Sequence, residues 1–310
     1  MPATKAQAGP VRLDAAGLSD CLRAMLAVVR DHEDELNRLN VFPVRDHDTG
    51  TNMALTLEGV VKAVDASGGL PLRELAGAVV DAALLEARGN SGIILAEVLR
   101  GLFETWAPLE QVGAADLVRG FRVAAERADQ AVLDPVEGTI LTVVRATAEA
   151  LEELREDDPA LLLAAAAERS GQAVAATREQ LEALRQAGVV DAAARGFELC
   201  LRAFAATAAG RSLPDASPAA AATTPEAADG ADGGPAFEVQ YLLACSERDA
   251  EELTRSLAAI GDSIAVARSN GIYRVHVHTD HAGAAIEQAI GRGQISHIQI
   301  TYLGAEAAAH

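Results

Sequence analysis

The sequence has few aromatic residues and few basic side chains, and each shortage excludes a class of protein. Aromatic residues make up 3% of the 310 residues although 50% are hydrophobic, so a core must come mainly from Ala and Leu in long, closely packed helices. The 26 Lys and Arg residues are outnumbered by 45 Asp and Glu residues, which gives a net charge of −19. This balance excludes a protein that binds the nucleic-acid backbone. A polyanionic ligand would need metal ions between it and the carboxylates.

Long apolar runs and paired cysteines are also lacking. No apolar run approaches the roughly 18 residues of a membrane span, and the first ten residues have no signal-peptide core. The three cysteines, Cys21, Cys200 and Cys245, are far apart and form no CxxC pair, so we expect free thiols in a reducing compartment. We therefore expect a cytoplasmic protein without membrane insertion.

The period of the apolar residues changes once along the chain. From Leu13 to about Gly210 it is helical, and turn signals divide this part into about eight helices, which predicts an all-α bundle or barrel. A long helix is expected to end at Asn40, and another to run over 159–186. After residue 236 the pattern predicts β-α-β-β-α-β, the order of ferredoxin-like domains, with a hairpin turn at 269–271.

The amino-acid composition indicates where the domains begin and end. The segment 211–235 consists largely of Pro, Ala, Gly, Asp and Thr without an apolar face, so it predicts a flexible linker. We accordingly predict a disordered N-terminus over 1–12, a helical domain over 13–210 and a small α+β domain over 236–305.

The loop LNVFPVRDHDTGTNM at residues 39–53 carries most of the chemistry. Asp46 and Asp48, with Asn40 before them, place oxygen atoms beside the start of the next predicted helix. Hard cations such as Mg²⁺ take such ligands together with substrate phosphates, and a helix start offers N–H groups to the same phosphates. The alternative is an acidic surface loop in which Asp48 or Thr49 caps the helix.

Three more junctions between helices carry glycines or hydroxyls: ARGNSGIIL at 87–95, DPVEGTILTVV at 134–144 and AGVVDAAARG at 187–196. In order and spacing, these and the acidic loop resemble the ATP-binding (DhaL-type) domain of the dihydroxyacetone kinase family. They resemble more closely the N-terminal domain of the bacterial fatty-acid kinase large subunit, over residues 13–209. The segment GDSIAVARSNGIYRVHVHTD at 261–280 is similar to the middle domain of that same protein.

The resemblance implies an eight-helix barrel that holds Mg-ATP at one end and a kinase that transfers the γ-phosphoryl group. The acceptor would be a small ligand presented by a lipid-binding partner protein, and a homodimer is expected. Asp46 and Asp48 would be the catalytic carboxylates and, with Asn40, the Mg²⁺ ligands. Nucleotide contacts are implied for Thr49, Thr51, Asn52, Ser91, Gly92, Thr139 and Asp191. We add Arg88 as a phosphate contact because of its charge and position.

Some residues depart from the family pattern. His47 replaces the glycine of the usual DGD, Arg45 replaces a proline, and Ala193 and Ala194 replace two glycines. The related kinase protein continues with another domain, which weakens the inference of its fatty-acid acceptor for this chain. These departures favour an alternative function, a nucleotide-binding regulatory or scaffold protein without transfer activity.

Four of the seven histidines lie between residues 276 and 297. His276 and His278 are two residues apart in a predicted strand, so they lie on the same face and both rings can reach one ion. In the related middle domain a cysteine near the first strand joins such histidines at a zinc site, and here Glu238 stands in that place. The resemblance thus implies a His₂Glu zinc site, and the alternative is a pair of structural histidines.

Overall fold

The computed structural model describes residues 13–211 and 235–303, so the predictions for 1–12, for most of the linker and for the final residues lie outside the described ranges. All the regular elements of the first range are helices. Its elements are α1 Ala15–Asp31, α2 Glu33–Leu39, α3 Thr49–Ala66, α4 Leu72–Glu86, α5 Gly89–Trp106, α6 Ala114–Gln130, α7 Ile140–Glu153, α8 Pro159–Gln180, α9 Glu182–Ala187 and α10 Ala192–Ala208. The predicted all-α architecture of this part is confirmed.

Two predicted helices are each divided in two. The helix expected to run to Asn40 breaks at His32, and the helix expected over 159–186 breaks at Leu181. Leu181 has extended backbone, with φ −117° and ψ 125°, and neither break falls on Gly or Pro. The apolar period continues across both breaks, so the sequence carries no local signal for them.

Helix α5 lies at the centre of the helical part and is buried on nearly every face. Gly101 lets α6 approach it, because a Cβ there would lie 2.6 Å from the Cα of Ala124. Trp106 is fully buried, meets the rings of Phe103 and Phe204 edge-on, and donates from Nε1 to a backbone carbonyl. Close helix packing thus replaces aromatic bulk in this core.

The second range forms the small α+β part. Its elements are β1 Phe237–Ala244, α11 Glu247–Leu257, β2 Gly261–Ser269, β3 Ile272–Thr279, α12 Ala282–Ile290 and β4 Gln294–Tyr302. The sheet order is β2-β3-β1-β4 with every neighbouring pair antiparallel, which confirms the ferredoxin-like prediction. Asn270 and Gly271 both have positive φ, 49° and 76°, as a two-residue hairpin turn of type I′ requires.

The two faces of this sheet differ in chemistry. One face carries apolar residues such as Val239, Tyr241 and Val277, which pack with residues of α11 and α12. The opposite face carries buried polar residues: Glu238, Gln240, Arg274, His276 and His278. Strands β2 and β3 contact α4 and α5, so this polar face is turned toward the helical part.

Two further expectations concern cysteines and membranes. All three cysteines are free thiols, and Cys21 and Cys200 are buried. Among the described residues, no helix combines the length and apolarity that crossing a bilayer requires.

Candidate functional site

A cavity of about 430 Å³ lies between the loops of the helical part and the polar face of the sheet. Its described lining contains six carboxyl side chains and no Lys or Arg: Asp46, Asp48, Asp134, Asp191, Glu238 and Asp262. Such a wall repels a bare polyanion, so a phosphate ligand would have to enter with cations. The acidic loop and the predicted zinc residues, far apart in sequence, therefore belong to one cavity.

Asn40 lines this cavity but is already engaged by the backbone. Its Oδ1 accepts from the N–H groups of Asp48 and Thr49, both at 3.1 Å, and its Nδ2 donates to the carbonyl of Val44 at 3.0 Å. Asp48 stands at the N-cap of α3, yet its carboxylate makes no capping hydrogen bond. The structure therefore uses Asn40 as the helix cap and leaves the Asp48 carboxylate to the cavity.

Asn37 completes the cap and is a site residue that our sequence reasoning missed. Its Oδ1 accepts from the N–H groups of Gly50 at 2.7 Å and Thr51 at 3.2 Å. We expected the start of α3 to offer free N–H groups to phosphates. This expectation is wrong for the first turn, where the N–H groups donate to the side-chain amide oxygens of Asn37 and Asn40. The signal was the pair Asn37 and Asn40, three residues apart at the end of one helix.

Asp46 and Asp48 share a hydrogen bond within the cavity. Burial raises the pKa of Asp46 to about 8, with the charge of Asp48 adding to it. Burial and the charge of Glu238 also raise the pKa of Asp48, while a hydrogen bond with Asn52 opposes the rise. Without a cation the pair therefore retains a proton that a divalent metal ion could displace.

His47, between the two aspartates, adopts the left-handed conformation with φ 57°. Glycine enters this region without strain, whereas a side chain costs free energy there. The ring Nδ1 lies 3.1 Å from the carbonyl oxygen of Asn37, and the residue is exposed. The imidazole thus lies against the end of α2 and not among the groups that line the cavity.

The junction between α4 and α5 forms a second wall of the cavity through Gly89, Asn90 and Ser91. Gly89 has φ 57°, and a Cβ there would lie 2.3 Å from Nδ2 of Asn52. Only glycine therefore lets this turn approach the acidic loop so closely.

Arg88, predicted to contact phosphate, points elsewhere. Its guanidinium donates to Oε1 of Gln299 at 3.1 Å and lies 3.7 Å from Glu86, and it is not among the cavity-lining groups. Two other predicted contacts, Thr51 and Gly92, also lie outside the lining: Thr51 donates to Glu33, and Gly92 contacts α3.

Thr139 and Asp191 do line the cavity, together with Thr49, Asn52 and Ser91. Asp191 caps α10 by accepting from the N–H of Ala194 at 2.8 Å. Burial raises the pKa of Asp191 to about 6, although hydrogen bonds from the backbone of Ala194 and Ile140 oppose the rise. A second carboxyl in the cavity thus titrates near neutrality.

On the sheet side, Glu238, His276 and His278 offer three ligand atoms within 4.8 Å of one another. Oε2 of Glu238 lies 4.0 Å from Nδ1 of His276 and 3.8 Å from Nε2 of His278. Within the described part of the chain, neither ring nitrogen of His276 has a hydrogen-bond partner. Burial lowers the pKa of His276 to about 3, so its imidazole is neutral, the form that binds metals.

Glu238 is the charged member of this cluster. Burial opposes its ionisation, but the nearby imidazole of His278 and a hydrogen bond from Gln240 overcome that cost and hold its pKa below the usual range. Its charge also acts on Asp46 and Asp48, so the two clusters are coupled electrostatically.

Comparison with known families covers both parts of the chain. The DAK2 domain model matches residues 43–206, and the model of the FakA-like middle domain of fatty acid kinase matches residues 234–310. Protein YloV of Bacillus subtilis (strain 168) is 28% identical over 304 residues, which cover 93% of this chain and 55% of that protein. An uncharacterized protein of Staphylococcus saprophyticus is 30% identical over 285 residues, covering 87% of this chain and 51% of the relative. The chain thus spans about half the length of these curated relatives.

The chain is also similar to a solved structure, that of the dihydroxyacetone kinase from C. freundii in complex with AMP-PNP and Mg²⁺. The TM-score is 0.47 at 18% identity, with 66% of this chain and 36% of that chain covered. A likeness of this size carries no argument about ligands.

Proposed function

The chain belongs to the DAK2 domain family, whose model spans more than half of it, and on that premise we propose that it binds Mg-ATP in the acidic cavity as the ATP-binding component of a kinase. The observation that carries the proposal is the lining of the cavity. Six carboxyl side chains face it without one described Lys or Arg, so a triphosphate fits only together with divalent cations.

The residues present fit magnesium. Asp46 and Asp48 supply partly buried carboxylate oxygens, and Asp48 is hydrogen-bonded to Asn52. Bound Mg²⁺ would neutralise the phosphates and stabilise the charge that develops during transfer. The cap formed by Asn37 and Asn40 holds the acidic loop on the start of α3, so that both aspartates remain directed into the cavity.

The acceptor is proposed to be the carboxylate of a small ligand that a lipid-binding partner protein presents. The match of residues 234–310 to the FakA-like middle domain of fatty acid kinase supports this acceptor class. A homodimer is part of the same proposal.

A zinc ion at Glu238, His276 and His278 is a separate proposal. The residues fit it because two buried imidazoles and one carboxylate converge, and His276 has no described partner for either nitrogen. The alternative is a structural pair of histidines without metal.

Two observations favour the second candidate function, a nucleotide-binding regulator without transfer activity. His47 occupies a left-handed position beside the aspartates, and Ala193 lies in the cavity wall where the resembled family has glycine. Both candidates predict magnesium-dependent ATP binding, so binding alone does not separate them.

Transfer of ³²P from [γ-³²P]ATP to a fatty acid supplied on a lipid-binding protein separates the two candidates. We expect the wild-type chain to form an acyl phosphate and Asp48→Ala to abolish it, while Asp81→Ala, an exposed carboxylate on α4, leaves it unchanged. ATP binding without transfer above the Asp48→Ala level would contradict the kinase and support the regulator.

A further inference from the structure

Two of the attachments that join the sheet to the helical part each lie directly before a loop that lines the cavity. The N–H of Val266 donates to the carbonyl of Ala131 at 2.7 Å, and the N–H of Leu133 to that of Ile264 at 3.4 Å, just before the loop that begins at Asp134. The second attachment is a single side chain, Arg274, which reaches the α4–α5 turn.

Arg274 lies on the same face of β3 as His276 and His278 and is 1% exposed. Its Nε and Nη2 both donate to the carbonyl oxygen of Ala87, at 3.1 and 2.7 Å. Ala87 is the C-cap of α4, where carbonyl groups lack helical partners and the helix dipole favours a cation. The guanidinium thus satisfies the end of α4.

The turn that Arg274 holds is short. Two residues, Ala87 and Arg88, separate the end of α4 from Gly89, the first residue of α5. The N–H of Arg88 donates to Oγ1 of Thr56 at 3.1 Å. The turn is thus fixed from the helical side by Thr56 and from the sheet side by Arg274, in addition to the exposed contact of Arg88 with Gln299. It lies immediately before the cavity-lining residues 89–91.

We propose that Arg274 is a positioning residue through which the sheet fixes the α4–α5 turn and, with it, the first turn of α5 at 89–92, so that the α+β part must be docked for ATP to be bound. The inference rests on the proposed function only in naming ATP as the ligand. Because coupling is reciprocal, bound Mg-ATP must in turn strengthen the docking of the sheet.

Hydrogen exchange on the full chain without nucleotide tests the positioning role, with Arg274→Met as the variant. The amides of Arg88 and Gly92 report the turn, and those of Leu133 and Val266 report the other attachment. We expect exchange at Arg88 and Gly92 to accelerate about tenfold or more, while Leu133 and Val266 keep their protection.

The matched control is Arg268→Met on the neighbouring strand, whose 54% exposed side chain pairs with Glu247 and does not reach the turn. It is expected to behave as wild type. Arg274→Lys keeps a cation and is expected to give an intermediate effect, and it decides the question if Arg274→Met does not fold. Unchanged exchange at the turn, or equal loss of protection at both attachments, would overturn the positioning role.

The dissociation constant of Mg-ATP completes the test. This dissociation constant should rise about tenfold in Arg274→Met, because without Arg274 the α4–α5 turn adopts its binding conformation only part of the time. An unchanged constant in a folded variant would overturn the coupling to ATP. If the wild-type chain binds no Mg-ATP, the proposed function fails, and hydrogen exchange alone decides the role of Arg274.

Discussion

Replacing Asp191 by Asn should remove a defined part of the pH dependence of folding. The difference between the ordinary pKa of 3.8 and about 6 in the folded chain corresponds to about 3 kcal/mol. Because the folded form binds the proton more tightly, this carboxyl lowers the free energy of unfolding as the pH rises from about 4 to about 6. Linkage places about 2 kcal/mol of that loss between pH 4.5 and 7.5.

The measurement is urea unfolding of wild type and Asp191→Asn in EDTA at pH 4.5 and 7.5. Asn still accepts from the N–H of Ala194, so the cap of α10 is kept. Between pH 4.5 and 7.5, the free energy of unfolding of the variant should therefore rise by about 2 kcal/mol relative to that of wild type. The control is Asp158→Asn, the same substitution at the exposed N-cap of α8. It measures the effect of changing a capping residue without the effect of burial. A stability difference between wild type and Asp191→Asn that is equal at both pH values would contradict the raised pKa of Asp191.

Three further predictions concern packing, capping and metal. Gly92→Ala puts a Cβ 2.4 Å from Oγ1 of Thr56, so it should lower the free energy of unfolding in urea by about 1–3 kcal/mol. The control Gly77→Ala, whose Cβ would have nothing within 4 Å, should raise it by about 0.5–1 kcal/mol. Equal effects of the two substitutions would contradict the close approach of α3 and α5. Asn37→Ala leaves two N–H groups of α3 without their acceptor and should cost about 1–2 kcal/mol, so an unchanged unfolding midpoint would exclude the cap. Mass spectrometry of the purified chain should find one zinc ion per chain that His278→Ala removes, and a metal-free wild type would end the zinc proposal.

The fold was predictable where one local rule decides it. Apolar periods identified the helices and strands, and Asn270-Gly271 identified the hairpin. The breaks at His32 and Leu181 were not predictable, because neither residue interrupts the apolar period. The start of α3 at Thr49 depends on the side-chain amide oxygens of Asn37 and Asn40, which the sequence around Thr49 does not indicate.

The site was predictable only in parts. The motifs identified Asp46, Asp48 and the glycine turn, and alternation identified the face shared by His276 and His278. That both groups line one cavity could not be predicted, because it depends on how the sheet docks on the helices. For the same reason Arg88, judged by charge and position, was expected in the cavity but lies against Gln299.

Calorimetric titration of the full chain with ATP, in Mg²⁺ or in EDTA, tests whether the acidic cavity binds ATP through magnesium. We expect one ATP bound per chain with Mg²⁺, no binding in EDTA, and loss of binding in Asp46→Asn and Asp48→Asn but not in the exposed control Asp81→Asn. ATP binding in EDTA, or Mg²⁺-dependent binding that survives both substitutions, would contradict binding of ATP through magnesium in this cavity.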